Sequence, residues 1–284
     1  MLMDISSFAD SFDATTDSAL EWLSDHGASV FDICQKVLGG LYGSILWMLS
    51  AAPFYLVALI IAVIGVRLVN VWFGALTGIA LLFCAFMGLW PETVSTLSLV
   101  IAATILALIV AIPAGILAGF VPAIDRFVEP ILDLVQTLPP YIYLLPAIGL
   151  LGYGPATALV ATIIVAVPPA LRLASLGVRM TPLEFIELGK ATGMTGWQMF
   201  WKIRLPFAMP SIMAGINQSL MMAFGMVVIA GIVGSGGLGE TIYGAIRTLD
   251  IAKSIDAAIA IVILTMVLDR LTQSAARFRT GGTK

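Results

Sequence analysis

Two stretches of this 284-residue chain carry side chains whose types and spacing could do work: Glu187-Leu-Gly-Lys-Ala-Thr-Gly193 and, after nine intervening residues, Ile203-Arg-Leu-Pro206. They form a polar, basic island in an otherwise apolar sequence, and the chemistry they suggest is recognition by another protein rather than catalysis. Thr181-Pro182-Leu183-Glu184 offers a cap hydroxyl, a proline at the first helical position and a carboxylate three residues after the cap, which predicts a helix starting near Pro182. Gly193 can take the left-handed conformation that closes it. Thr195-Gly-Trp-Gln198 repeats the cap pattern and predicts a second helix that ends near Pro206. The competing reading is an amphipathic loop lying on a membrane surface, with Phe200, Trp201 and Ile203 dipped into it.

The elements around the island must be membrane helices. Hydrophobic residues make up 60% of the chain and charged residues 11%, against roughly half and a quarter in soluble domains. Apolar runs near the ~20 residues needed to cross hydrocarbon can be drawn at about seven places: 51-66, 71-90, 94-120, 131-151, 154-172, 209-234 and 254-271. Residues 37-50 are either an interfacial helix or the start of a longer span. With a cytosolic C-terminus, only Lys36, Arg247 and Lys253 among the fourteen lysines and arginines fall outside, which orients the protein by the positive-inside rule. Seven crossings then place the acidic N-terminus outside. The net charge of -3 hides this asymmetry and gives no footprint for nucleic acid.

The N-terminus lacks the basic start and early apolar core of a secretory signal. Residues 1-16, rich in Ser, Asp and Thr, are expected to be flexible. Apolar residues from Ala19 to Leu38 recur at helical spacing and predict an amphipathic helix at the outer interface, or an adaptor surface. Cys34 and Cys84 fall in different environments and make neither a disulfide nor a metal site, and His26 is isolated.

Some patterns mislead. Gly234-Ser-Gly236-Gly-Leu-Gly239 spells a dinucleotide fingerprint, but it follows a span rather than a strand, so a glycine-rich turn at the outer end of the sixth span is expected. Gly39/Gly43, Gly74/Gly78 and Gly115/Gly119 permit close helix packing without proving dimerisation. No span centre carries a charge, which argues against proton-coupled or intramembrane catalytic chemistry. No GxxxxGK[ST] loop is present, so the chain has no phosphate-binding loop for ATP.

Glu187, Gly193 and Ile203-x-Leu205-Pro206 resemble the E-A-A-x3-G-x9-I-x-L-P signature of the cytoplasmic loop in membrane subunits of ABC importers, with Leu188 and Gly189 in place of the two alanines. Glycine there loosens a helix by about 1 kcal/mol relative to alanine. Residues 208-218, Met226-Val-Val-Ile-Ala230, Gly236-Gly-Leu-Gly239 and Leu268-Asp-Arg-Leu-Thr-Gln273 look like the permease of the glycine betaine/proline betaine branch, and the resemblance covers about 90-280.

The resemblance implies an all-α type I importer permease with no catalytic residue. Its partners would be a second copy of itself, two cytosolic ATPase subunits that supply the ATP and Mg chemistry, a periplasmic binding protein and membrane lipid in a bacterial inner membrane. The chain is expected to divide into an acidic periplasmic N-terminal tail with an amphipathic helix over 1-50, accessory transmembrane helices over 51-90, a permease core over 91-272 with a coupling loop over 181-206, and a basic cytosolic tail over 273-284. No fused receptor domain is expected. Glu187, Gly193, Ile203, Leu205 and Pro206 are the coupling candidates. For the solute path the candidates are Asn217, Gln218 and Ser219, which could equally bond neighbouring helices, with Tyr141 and Tyr143 after the Gln136-Thr-Leu-Pro-Pro140 break. Tyrosine can hold a quaternary ammonium by cation-π attraction, but it also belts membrane interfaces. A channel or carrier using the same spans, or a scaffold without solute, are the other classes.

Overall fold

The computed structural model describes residues 2-279, all of them helix or short connection with no strand among them. The helices are α1 (Leu2–Ser50), α2 (Phe54–Leu68), α3 (Val71–Phe86), α4 (Trp90–Phe120), α5 (Pro122–Thr137), α6 (Leu144–Leu151), α7 (Pro155–Arg179), α8 (Leu183–Ala191), α9 (Gly196–Met199), α10 (Leu205–Ala230), α11 (Gly237–Thr248) and α12 (Ile251–Arg279).

Among the described residues, four segments are long and apolar enough to cross a membrane unaided: α4, α7, the run Gly196–Val233 that contains α10, and α12. The other three expected spans have different shapes. Residues 131-151 do not make one straight helix, because the adjacent prolines Pro139 and Pro140 remove two backbone donors and the chain turns by 105° between α5 and the segment 140-151. α5 is strongly amphipathic and buries only Leu132. It is lashed to α7 by Asp125, whose carboxylate accepts from Ser175 Oγ at 2.8 Å and from Arg179 at 2.7 Å, and by an Asp133–Arg172 ion pair. The chain also bends by 96° between α1 and α2. α2 and α3, with 15 and 16 residues, reach only ~22-24 Å at 1.5 Å per residue, short of the ~30 Å hydrocarbon.

Residues 2-16 belong to α1, which runs unbroken over 49 residues. No proline interrupts the chain before Pro53, and Thr15, Thr16 and Ser18 donate back to the carbonyls of Ser11, Phe12 and Ala14, so their hydroxyls find partners inside the helix instead of pulling the backbone out of it. Only the last part of α1 reaches the bundle, where Tyr42 is buried and its hydroxyl meets Ser95 Oγ at 2.7 Å. Trp22, Val30 and Ile33 further back are exposed.

The core is a three-helix stack of α4, α7 and α10, and small residues explain how close the helices come. A Cβ on Gly115 would sit 2.5 Å from the Leu171 carbonyl oxygen, and one on Gly177 would sit 2.9 Å from that of Ala208. Gly74 presses on the Ala62 carbonyl of α2 in the same way, whereas Gly39 and Gly43 face open space. Two of the three glycine pairs are therefore spent inside the chain. Buried hydroxyls such as Ser98 and Thr162 bond the carbonyl four residues back, so they cost little at depth.

The helix ends collect into two polar faces. One gathers the Asp125–Arg179 pair and the α8–α9 segment. At the other the α6–α7 turn, the α10–α11 turn and the start of α4 meet: Gly154 N–H donates to the Val233 carbonyl at 2.9 Å and Leu238 N–H to Thr96 Oγ1 at 2.8 Å. The fingerprint-like glycines form this second end as a packed turn, with Gly234 and Gly236 at φ 68° and 78°. α11, absent from the expected spans, follows it.

Candidate coupling site and solute path

The basic island folds as a helix, a glycine turn and a helix. α8 closes in a Schellman arrangement: Met194 N–H donates to the Gly189 carbonyl at 2.9 Å and Gly193 N–H to that of Lys190 at 3.0 Å. Gly193 takes φ 73°, the left-handed conformation its residue type permits. Thr195 and Gln198 form the expected capping box, Thr195 Oγ1 accepting from Gln198 N–H and Gln198 Oε1 from Thr195 N–H.

Two expectations are corrected. Thr181 does not cap α8, since its hydroxyl is turned back to the Val178 carbonyl at the end of α7. Nor does the second helix end near Pro206. One π-helical turn, Phe200–Arg204, joins α9 to α10 with Leu205 N–H bonding the Phe200 carbonyl five residues back, and the chain continues helically into α10. Proline has no N–H to contribute and its ring collides with an α-helical carbonyl four residues earlier, so a widened turn just before it removes the conflict.

Side-chain packing sets the segment's shape. Met199 and Ile203 are buried against Gly189, where an added Cβ would meet the Met199 methyl at 2.5 Å and Ile203 Cδ1 at 3.0 Å. The missing alanine is thus a contact surface, and the helix that glycine weakens is held from outside. Phe185 meets Phe207 at 4.8 Å in a tilted pair, Phe120 meets Phe200 at 5.8 Å, and the Arg204 guanidinium lies 4.6 Å over the Phe120 ring. These contacts tie the segment to the ends of α4 and α10. Glu187 and Pro206 are exposed, Leu205 half-buried, and Glu187 has no partner among the described residues. Beside them Leu183, Leu188, Trp197 and Trp201 also stand exposed.

The five solute-path candidates do not converge. Asn217 Nδ2 donates to Asp269 Oδ1 at 3.0 Å, with Gln273 Nε2 on the same oxygen at 2.8 Å, which joins α10 to α12. Ser219 Oγ donates to the Ala166 carbonyl at 2.6 Å and joins α10 to α7. Gln218 is exposed. Tyr143 donates its hydroxyl to the Val135 carbonyl at 2.8 Å and pins the α5–α6 bend, whereas Tyr141 is exposed. Sequence reasoning missed Gly189, Met199 and Phe120 as parts of the site. The departure from alanine at Gly189 was a signal for the first; nothing local marks the other two. Among the described residues no group of three or more His, Cys, Asp or Glu could hold a metal.

A helical membrane bundle with a buttressed helix-turn-helix at one polar face has the architecture of a transport permease. The chain belongs to the family described as binding-protein-dependent transport system inner membrane component, whose pattern matches residues 111–278. It is 38% identical over 264 residues to the glycine betaine transport system permease protein OpuAB of Bacillus subtilis (strain 168), covering 91% of this chain and 92% of the relative. It is 34% identical over 265 residues to the glycine betaine/proline betaine transport system permease protein ProW of Escherichia coli (strain K12), covering 93% and 75%. In fold it matches a chain of the MetNI methionine ABC transporter in an inward-facing conformation, with a TM-score of 0.57 and 23% identity over 71% of this chain and 97% of the other.

Proposed function

We propose that this chain is the transmembrane subunit of an ATP-driven importer of small quaternary or methylated amines such as glycine betaine, proline betaine or choline, with the solute delivered by a periplasmic binding protein. The observation that carries the reading is the segment between Glu187 and Pro206: it is stiffened by the Schellman turn, the capping box and the Met199–Gly189 contact, yet leaves a carboxylate and large apolar side chains exposed. Such a knob suits a groove in a partner protein better than a lipid surface, because Ile203, one of the residues that would dip into lipid, is buried within the chain.

Two copies of the chain frame the passage, and each knob sits in one of two cytosolic ATPase subunits. ATP and Mg act through those subunits alone. Nucleotide closure moves the paired bundles between inward-open and outward-open states by a rocking transition, and unequal affinity of receptor and nucleotide for the two states gives direction. Residues 91-272 form the transport core, 51-90 are accessory, the N-terminal part of 1-50 lies outside while the stretch around Tyr42 packs against the bundle, and 273-284 lie in the cytosol. Gln218 and Tyr141, both exposed, are retained as path residues.

Vesicles carrying the complete complex are expected to take up radiolabelled glycine betaine or choline only with ATP inside, and amino acids and sugars should not compete. Uptake of a branched amino acid or a sugar instead would overturn the solute class. For orientation, Asp10→Cys in a background lacking Cys34 and Cys84 should react with an impermeant thiol reagent from outside. Protection there together with labelling of Thr280→Cys would reverse the topology.

A further inference from the structure

At the glycine-rich face a cleft of about 370 Å³ opens between the α6–α7 turn and α11, within the size range of ligand pockets, ~300–1,000 Å³. Its walls bring together Tyr153, Tyr243, Glu240 and Arg247, with residues 231-234 completing the lining. The hydrogen bond from Gly154 to Val233 fixes the turn that carries Tyr153 beside α11. Glu240 is steadied by the Gly236 N–H, which donates to Oε2 at 2.8 Å, leaving its other oxygen without a partner among the described residues.

The Tyr243 ring already holds a cation, since the Arg247 guanidinium lies 5.8 Å from its centroid. This decides which ligand the cleft suits. A bare ammonium ion would have to displace Arg247 from the ring against like charge. A zwitterion brings a carboxylate that draws the guanidinium away, as a bidentate partner, while its own ammonium takes the vacated aromatic face.

We propose that this cleft is an outer subsite for a small zwitterion that joins a quaternary ammonium to a carboxylate, the ammonium on the tyrosine faces near Glu240 and the carboxylate on Arg247. The proposal rests on the functional reading above, which puts this face outside, and it selects betaines over choline within that class. The site receives solute as the binding protein releases it, before the bundle turns inward.

The test is glycine betaine uptake by the complete complex in vesicles at saturating loaded binding protein, with complex assembly checked for each variant. Tyr243→Leu and Arg247→Gln should each lower maximal uptake by about fivefold, the scale of a solvent-accessible cation-π contact or ion pair. Tyr243→Phe should stay within about twofold of wild type, because the ring face is kept. The binding-protein concentration for half-maximal uptake should not move. Tyr153, 73% exposed, supplies a second Leu/Phe pair that folding does not constrain. Equal uptake by the Leu and Phe variants, or losses that appear only as weaker binding-protein affinity, would overturn the subsite in favour of a docking surface. Normal wild-type uptake with unaffected variants sinks the subsite alone; a wild-type complex that takes up no methylated amine sinks the functional reading with it.

Discussion

Gly193→Val is expected to reduce ATP-driven uptake to background while the membrane subunit remains folded. Gly193 sits at φ 73° and closes α8 with the Gly193–Lys190 and Met194–Gly189 hydrogen bonds. An L-residue in that conformation costs about 1–2 kcal/mol, and a β-branched side chain more. The turn therefore opens, both hydrogen bonds are lost, and α8 no longer presents Glu187 at a fixed angle to α9. The transmembrane core is untouched, because no side chain lies within 4 Å of a Cβ at this position. Gly193→Asn should retain much of the activity, since asparagine tolerates the left-handed region. Glu187→Lys should match the valine variant, by reversing charge on the exposed face of α8 without altering its backbone. The measurements are uptake into vesicles and co-elution of the ATPase on size exclusion; wild-type transport by the valine or lysine variant at normal expression would mean that this segment does not couple the two subunits.

Gly239→Ala is expected to abolish accumulation of folded protein. The new Cβ would fall well under 3.0 Å from the Val227 carbonyl oxygen and 3.2 Å from Val228 Cα, so backbone rather than a yielding side chain blocks it. Gly231 lies against Gly239 from the other side, and a Cβ there is blocked by the Gly239 backbone in turn. Overpacking usually costs about 1–3 kcal/mol when side chains can move; here α10 and α11 must separate, and the Leu238–Thr96 hydrogen bond goes with them. Gly225→Ala in α10 is the control, because nothing lies within 4 Å of its Cβ, and it should behave as wild type. Monodisperse yield after detergent extraction and the melting temperature of the complex report both variants. A Gly239→Ala protein as stable as the control would show that the contact between the two helices is not as tight as described.

Much of this protein was legible in its sequence where one residue type carries the physical constraint by itself. The apolar runs placed α4, α7, α10 and α12, because hydrocarbon leaves a chain few alternatives to a satisfied helix. Gly193 announced a left-handed turn, and Thr195 with Gln198 a capping box, since each depends on chemistry within four residues. The motif spacing from Glu187 to Pro206 pointed to the family.

Legibility ended where a residue had two local uses and a distant neighbour chose between them. Thr181 could cap the helix ahead or bond the carbonyl behind, and it does the latter. Pro206 could end a helix or begin one, and the preceding π-turn lets the chain continue. Asn217 and Ser219 had polar groups suited to a pore or to another helix, and Asp269 and the Ala166 carbonyl turn out to be their partners. Of the tyrosines beside the proline break, Tyr143 bonds the Val135 carbonyl and Tyr141 is exposed, whereas Tyr153 and Tyr243 line one cleft.

By itself, then, the sequence determined that the chain is an all-helical membrane protein of a particular transporter family, with a stiff polar knob around Gly193, because partitioning into lipid and backbone conformation at glycine are properties of single residues and short windows. Only the tertiary structure decided the bends at α1–α2 and α5–α6, the burial of Gly189 beneath Met199, and the meeting of Tyr153, Glu240, Tyr243 and Arg247 at one cleft. Those features depend on which helix faces meet and how closely, and the closeness is set by backbone-to-backbone contacts at Gly115, Gly177, Gly231 and Gly239 that couple positions far apart along the chain.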